Sequence, residues 1–303
     1  MKKNKHAYLI IADKDDLTFR TLLQMLDDSR NDIYIHMDSK LKDYNEEIIE
    51  NIVQKGRIIH IKRTNVQWGG YSLIQAELSL LEKAIKIGRY LYYHLLSGQD
   101  LPIQTQDYIH KFFNENRGKE FIHFQSLKFS YYDRVRYYYF FQDYLGRGKK
   151  NIRKKIVYSI NVVLLKLQKI MRLHRNLNVS FQKGSNWFDI TDDFARYVIS
   201  EKKWIEKTFK YTFCGDEIFL QTLCFNSNFK NNLYDKHYDN NVIANMRLID
   251  WTRGDPYVFC KEDFVELKQS NMLFARKFSC TDDSIIISCL EKEYGNEYNG
   301  IVI

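Results

Sequence analysis

Short, largely apolar segments alternate with segments of helical spacing along the first third of the chain, and this alternation constrains the fold most. The clearest apolar run is Ala7–Ala12, which is bounded by charged residues. Similar runs lie at 32–37, 57–61 and 90–96. Helical spacing appears between them, at 16–27, 48–54 and 72–87. Continuous apolar runs are typical of strands buried on both faces of a parallel sheet. The pattern therefore predicts right-handed βαβ units and an α/β fold with a mostly parallel central sheet flanked by helices.

Polar and glycine residues follow the ends of these apolar runs. Asp13 and Asp38 each come directly after a predicted strand, and the loops 66–70 and 97–100 follow the next two strands. Ligands of parallel α/β sheets bind beyond the carboxyl ends of the strands, so these residues are expected around the binding site. Many α/β enzymes share this arrangement, and it does not identify a reaction.

Composition limits the class of protein further. The chain has 303 residues, 45% of them hydrophobic, and only 2 prolines and 13 glycines, which fits one large core without a flexible linker. The net charge of +8 suits nucleic acid, an anionic membrane or a phosphorylated small molecule. The 22 tyrosines fit either core packing or a surface that stacks on sugar rings or bases.

Cysteines and the N-terminus indicate the compartment. The five cysteines are odd in number and form no CxxC pair, which predicts unpaired thiols in a reducing compartment. The segment 1–6 runs directly into the first strand without the apolar core of a signal peptide. No apolar run approaches the roughly 20 residues that span a bilayer. We therefore expect a cytoplasmic protein, either free or peripheral on the inner face of the plasma membrane.

The stretch 147–175 is basic and partly apolar. Arginines and lysines flank the apolar run 156–165, and the pattern predicts a helix. One interpretation is an anchor on an anionic membrane surface. The other is a solvated helix that packs on the domain through its apolar side. The sequence leaves both open.

Metal-binding and nucleotide-binding motifs are few. Asp13 and Asp15 form the one early Asp-x-Asp pattern, but aspartates at this position also cap a following helix. No other cluster of His, Asp and Glu has metal-ligand spacing. Neither GxGxxG nor GxxxxGK[ST] occurs, which argues against dinucleotide or P-loop binding.

Group transfer from a nucleotide donor needs a general base for the acceptor hydroxyl and positive charge for the leaving diphosphate. Glu217 is a candidate base, although a carboxylate at a helix start also suits the helix dipole. The adjacent Arg276 and Lys277 are a candidate diphosphate clamp that needs no metal. The alternative for this pair, and for Arg253, is an ordinary exposed cation.

Eight segments of the chain carry a family resemblance. In order they are YLIIADKDD, NDIYIHMDSK, VQWGGYSLIQAEL, YYHLLSGQDLPI, KGSNWFDIT, CGDEIFLQTL, RLIDW and LFARKF. Together they resemble the core-2/I-branching β-1,6-N-acetylglucosaminyltransferase family in its short bacterial form, which is related to the peptide O-xylosyltransferases. The segment 127–177 resembles the family least. The resemblance implies a GT-A-type glycosyltransferase fold, inversion at the sugar carbon, a UDP-sugar donor, and neither a divalent metal nor another cofactor.

The resemblance also implies roles for particular residues. The catalytic base is Glu217. The implied donor-binding residues are Asp38, Trp68, Ile10, Lys277, Arg276 and Arg253. The implied acceptor-binding residues are Trp251, Asp216, Asp100 and Arg134. No metal ligand is implied.

On this resemblance the chain is a single glycosyltransferase domain. It divides into a nucleotide-binding half (1–125), a variable basic helical insert (126–180) and an acceptor and catalytic half (181–303). The expected donor is UDP-GlcNAc, with UDP-xylose, UDP-glucose and UDP-galactose as alternatives. The expected acceptor is a glycan, in particular a lipid-linked oligosaccharide in capsule, exopolysaccharide or O-antigen synthesis.

Two non-catalytic hypotheses remain beside this one. A basic, aromatic-rich chain fits a nucleic-acid-binding protein, but no RRM, KH, helix-turn-helix or zinc-finger pattern occurs, so nucleic acid is not an expected partner. The other hypothesis is a membrane-surface scaffold whose transferase site has decayed. The presence of Glu217 and Lys277 argues against it.

Overall fold

A six-stranded sheet forms the centre of the chain, and the predicted apolar runs supply its first four strands. The computed structural model describes residues 5–147 and 151–295. Its strands are β1 (His6–Ala12), β2 (Asn31–Met37), β3 (Arg57–His60), β4 (Tyr92–Ser97), β5 (Asp100–Pro102), β6 (Phe121–Ile122), β7 (Phe188–Thr191), β8 (Arg247–Ile249) and β9 (Phe274–Arg276). The central sheet has the order β3-β2-β1-β4-β7-β6, and β7 alone runs antiparallel to both its neighbours. The predicted α/β fold with a mostly parallel sheet is confirmed.

Helices flank this sheet. They are α1 (Leu17–Met25), α2 (Glu46–Glu50), α3 (Tyr71–Ile87), α4 (Gln106–Glu115), α5 (Tyr132–Arg136), α6 (Gln142–Leu145), α7 (Ile152–Ile170), α8 (Asp192–Ser200), α9 (Lys202–Phe209), α10 (Phe219–Phe225), α11 (Phe264–Gln269) and α12 (Ser284–Tyr294). Side-chain caps fix several of their starts. At α1 the Asp16 carboxylate accepts a hydrogen bond from the Phe19 amide at 3.1 Å, as expected for aspartate before a first turn.

Alternate side chains of β1 enter two separate cores, one on each face of the sheet. Leu9 packs in the core that contains Ile74 of α3, whereas Ile10 packs in the core that contains Leu22 of α1 and Ile286 of α12. These side chains are fully buried. Burial of each one stabilises the fold by about 1.5–3 kcal/mol. A strand covered by helices on both faces must be apolar throughout, which explains the unbroken run in the sequence.

A second, three-stranded sheet has the order β5-β9-β8 and is joined to the first by a buried ion pair. Arg247 of β8 donates two hydrogen bonds to Asp189 of β7, at 2.6 and 2.8 Å. His94 of β4 contacts the same carboxylate at 2.7 Å, and His6 contacts His94 at 2.9 Å. Burial opposes ionisation of Asp189, but the Arg247 and His94 partners hold its pKa below the ordinary value.

The basic stretch forms α7, as predicted, although residues 148–150 lie outside the described residues. All five cysteines are free thiols, also as predicted. Within 5–147 and 151–295, the helices are all too short or too polar to cross a bilayer.

Candidate active site

A cleft of about 680 Å³ opens beyond the carboxyl ends of β1, β2 and β4. Asp13, Asp38 and Gly98 lie on its strand-end side. Side chains from later loops complete the wall. These are Trp187, Asp216, Glu217, Trp251, Arg276 and Lys277. The cleft therefore lies where the strand-end rule places a ligand, and both halves of the chain contribute to it.

Glu217 lies in a 3-10 turn, 215–217, just before α10. Its Oε2 accepts a hydrogen bond from Arg134 Nη1 at 2.8 Å, and Lys183 Nζ lies 3.3 Å from the same oxygen. The side chain is 34% exposed, so it is open to the cleft. Among the described residues nothing donates to Oε1, which leaves that atom available to accept a proton. The two cations hold the carboxylate in place at the edge of the cleft, as the position of a general base requires.

Gly184 positions the backbone of Glu217 and makes a close approach that no other residue allows. Its amide donates to the Glu217 carbonyl at 2.9 Å. A Cβ atom at this position would lie 1.7 Å from the His123 carbonyl oxygen. The neighbouring Lys183 contacts the Glu217 carboxylate. The loop that contains Lys183 and Gly184 is therefore part of the site, although the sequence alone assigned it no role. The glycine in that loop was the available signal.

Polar groups lie buried on the floor of the cleft. Asp216 lines the cleft, and burial, followed by the charge of Glu217, raises the pKa of Asp216 to about 7. Behind it, burial and the Asp216 charge raise the pKa of Glu77 well above its ordinary value. Oδ1 atoms of Asp216 and of Asn186 are buried with no hydrogen-bond partner among the described residues. Buried acceptors of this kind suit a ligand that brings hydroxyl donors.

Two cations from β9 and the residue after it differ in how they are paired. Arg276 lies 3.1 Å from the buried Asp100 carboxylate, hydrogen-bonds to Ser97 Oγ, and stacks 4.5 Å above the Trp187 ring. Lys277 lines the cleft, and no carboxylate of the described residues lies within salt-bridge distance of it. Lys277 therefore has the charge that is free to neutralise an incoming anion.

Trp68 and Asp38 line the same cleft. Trp68 is 47% exposed, and the Arg147 guanidinium lies 5.4 Å from its ring centre. Asp38 is nearly buried, accepts a hydrogen bond from the Lys40 amide at 2.8 Å and forms an ion pair with Lys40 Nζ at 3.0 Å. Arg147 and Lys40, which sequence reasoning did not select, also line the cleft.

Four of the selected residues lie outside the cleft lining. Ile10 is fully buried in the core, and its neighbour Ile11 lines the cleft, because side chains alternate along a strand. Asp100 is buried behind Arg276 and holds it, so it is not exposed to an acceptor. Arg134 lies behind Glu217.

Arg253 is the fourth, and its expected donor contact stays a prediction. Its guanidinium is held by carboxylates that its own neighbourhood provides. The partners are Asp250, Asp263 and Glu266, with the last two at 2.7 and 2.9 Å. These three carboxylates neutralise the positive charge of Arg253 outside the cleft. The ion pairs hold the loop before α11.

The early Asp-x-Asp pattern splits in space. Asp13 lines the cleft, whereas Asp15 accepts a bidentate ion pair from Arg20 at 2.8 and 3.0 Å. Across 5–147 and 151–295, His, Cys, Asp and Glu side chains form no group of three or more suited to holding a metal ion.

Comparison with known proteins places the chain in a family. A family model for the Core-2/I-Branching enzyme matches residues 6–268. The chain belongs to the Core-2/I-Branching enzyme family. It is 25% identical over 293 residues to a xylosyltransferase of Drosophila pseudoobscura pseudoobscura, covering 88% of this chain and 31% of that protein. It is 23% identical over 303 residues to the human N-acetyllactosaminide β-1,6-N-acetylglucosaminyl-transferase, covering 94% of this chain and 71% of that protein.

Two further matches complete the comparison. A xylosyltransferase of Caenorhabditis briggsae is 24% identical, covering 86% of this chain and 33% of that protein. The chain thus spans about one third of the xylosyltransferases it matches. The apo crystal structure of mouse xyloside xylosyltransferase 1 has a TM-score of 0.37 and 9% identity, over 92% of this chain and 98% of that one.

Proposed function

We propose that the chain is an inverting glycosyltransferase that moves a sugar from a UDP-sugar to a hydroxyl of a glycan acceptor without a divalent metal. The observation that supports this most is the pairing of groups in one cleft. Among the described residues, one carboxylate oxygen of Glu217 has no partner, and the Lys277 ammonium has no carboxylate partner. Family membership supports the same chemistry, since the named relatives are sugar transferases.

The reaction assigns one step to each group. Glu217 Oε1 takes the proton from the acceptor hydroxyl as that oxygen attacks C1 of the donor sugar. The new O–C1 bond forms on the face opposite the breaking C1–O bond, and the diphosphate leaves with the electron pair. Lys277, supported by Arg276, neutralises the developing charge on the diphosphate. Trp68 offers an exposed ring for uracil, and Trp251, 59% exposed in the same cleft, offers one for the acceptor sugar.

The donor in this proposal is UDP-GlcNAc, in line with the N-acetylglucosaminyl group in the name of the human relative. UDP-xylose is the main alternative, in line with the xylosyltransferase names of the fly and worm relatives. UDP-glucose and UDP-galactose are lesser alternatives. We propose a lipid-linked oligosaccharide in capsule, exopolysaccharide or O-antigen synthesis as the acceptor, and a cytoplasmic site of action.

Calorimetry with UDP and the four UDP-sugars, each with and without EDTA, tests the donor site. We expect binding that EDTA does not change and a preference for one sugar. Binding only after addition of Mn²⁺ would contradict the metal-free mechanism. Absence of binding to UDP and to all four sugars would contradict the proposed activity as a whole.

Glu217→Gln tests the base without knowledge of the acceptor, because slow hydrolysis of the bound donor uses water as the nucleophile. We expect UDP release to fall by about 10²- to 10⁴-fold, with UDP affinity unchanged. The matched control is Glu262→Gln, which makes the same change at an exposed glutamate that does not line the cleft. This variant should keep the wild-type rate. Equal rates in both variants would remove Glu217 from the base role.

A further inference from the structure

Helix α7 has its apolar side turned outward. Six of its residues share one stripe at spacings of three and four and are 45–76% exposed: Ile152, Ile156, Ile160, Val163, Leu167 and Ile170. The two buried positions of the same helix are polar, Asn161 and Gln168, whereas Val157, Leu164 and Leu165 are half-buried. The Gln168 side chain accepts from the Tyr138 amide at 2.8 Å and donates to the Tyr138 carbonyl at 3.1 Å. A helix of a soluble domain normally shows the opposite arrangement.

Basic side chains border this stripe, and acidic ones do not. Apart from Lys169, the exposed cations of residues 151–172 are Arg153, Lys155, Lys166 and Arg172. Within the described residues none of these four lies within salt-bridge distance of a carboxylate. Lys169 differs, because it pairs with Asp133 at 2.6 Å. Between Asp143 and Asp189 the sequence contains no acidic residue.

We infer that α7 lies flat on an anionic lipid surface, with the apolar stripe among the acyl chains and the flanking cations at the headgroups. Exposed apolar area and unpaired positive charge are the two terms that set the affinity of an interfacial helix. The alternative occupant, a second copy of α7, would bring two unpaired basic borders together and is disfavoured by charge. The inference rests on α7 alone and does not depend on the proposed transfer reaction.

This placement also orients the cleft. Lys154 in the first turn of α7 donates to the Leu145 carbonyl at 3.1 Å, and Arg147, two residues after Leu145, lines the cleft. The first turn of α7 therefore lies close to the cleft. A membrane under α7 would present lipid-linked hydroxyls near Trp251 and Glu217, which deepens the proposed function by favouring a membrane-borne acceptor.

Co-sedimentation of the full chain with vesicles tests the inference. We expect binding to mixed phosphatidylcholine–phosphatidylglycerol vesicles and weaker binding to phosphatidylcholine alone. The triple variant Ile156→Ser, Val163→Ser, Leu167→Ser should bind about tenfold or more weakly. The matched control is the triple variant Ile48→Ser, Leu127→Ser, Val265→Ser, which removes similarly exposed apolar side chains elsewhere and should bind as wild type.

A second pair of variants tests the charge. Lys155→Gln with Lys166→Gln should remove most of the preference for phosphatidylglycerol, whereas Lys83→Gln with Lys236→Gln should not. Equal vesicle binding by the wild type and the stripe variant would overturn the inference. The inference would also be overturned if the wild type did not bind vesicles and sedimented as a dimer, while the stripe variant sedimented as a monomer. UDP calorimetry on the same samples separates the two proposals, since α7 variants should keep wild-type nucleotide affinity.

Discussion

Lys277 and Arg276 are adjacent cations in one cleft, yet their removal should have opposite consequences for binding and folding. Lys277→Met keeps the apolar stem and deletes a charge that has no carboxylate partner in the described part of the chain. A hydrogen bond to a charged group contributes about 1.5–3 kcal/mol, so the Kd for UDP should rise about 10- to 150-fold. The free energy of unfolding should stay within about 0.5 kcal/mol of wild type.

Arg276→Met is the contrasting change. It leaves Asp100, whose side chain is 3% exposed, as a buried carboxylate without its cation. Removing one partner of such a pair costs about 3–5 kcal/mol of folding free energy. The two variants are compared by UDP calorimetry in EDTA and by urea unfolding, with Lys83→Met as the exposed control. If the wild type binds UDP measurably and Lys277→Met binds it within about twofold of wild type, Lys277 does not contact the diphosphate.

Three further changes test other parts of the structure. Gly184→Ala would place a methyl group against a backbone carbonyl, and donor hydrolysis by this variant should fall at least about tenfold, as measured by UDP release. Asp189→Asn should lower the free energy of unfolding by about 3–5 kcal/mol in urea titration, because Arg247 then stays buried without a counter-charge. Burial lowers the pKa of His110 to about 4, so the unfolded chain gains a proton first as pH falls below about 6.5, and stability is lost. Unfolding at about pH 7 and pH 5 should show a loss of about 2 kcal/mol from this group, which His110→Gln removes.

The sequence predicts the first four strands and the strand-end location of the cleft because both depend on local pattern. A doubly covered strand must be apolar throughout, and its last residue must precede the ligand site. The position of Ile10 in the core, outside the cleft lining, has the same origin. An unbroken apolar run does not reveal which alternate side chains of the strand face the cleft. The sequence therefore indicated Ile10, whereas the neighbouring Ile11 lines the cleft.

Other parts of the site depend on contacts between distant segments, which no local pattern encodes. Arg134 meets Glu217 across 83 residues of sequence, and Arg276 meets Asp100 across 176. The β5-β9-β8 sheet consists of three-residue strands paired in the same non-local way. Arg253 is a different case, because the acidic residues that pair with it all lie within 13 positions of it in the sequence. A local pattern could have predicted these ion pairs.

The outward orientation of the apolar stripe of α7 also could not be predicted from the sequence. The spacing predicts an amphipathic helix, but which side faces the domain is decided by tertiary hydrogen bonds. Here Gln168 bonds to the backbone of Tyr138 and fixes the polar side inward. The usual assumption that apolar residues face the core would have given the wrong orientation.

The stacking of Arg147 on Trp68 has a thermodynamic consequence. Arg147 forms part of the cleft wall, and the helix that we place on lipid begins at Ile152. If a vesicle surface shifts Arg147 and changes the affinity for nucleotide by some factor, linkage requires nucleotide to change the partition onto that vesicle by the same factor. A donor-loaded enzyme and an empty one would then divide differently between membrane and solution, so the concentration of nucleotide sugar would itself set how much of the protein stands beside its acceptor.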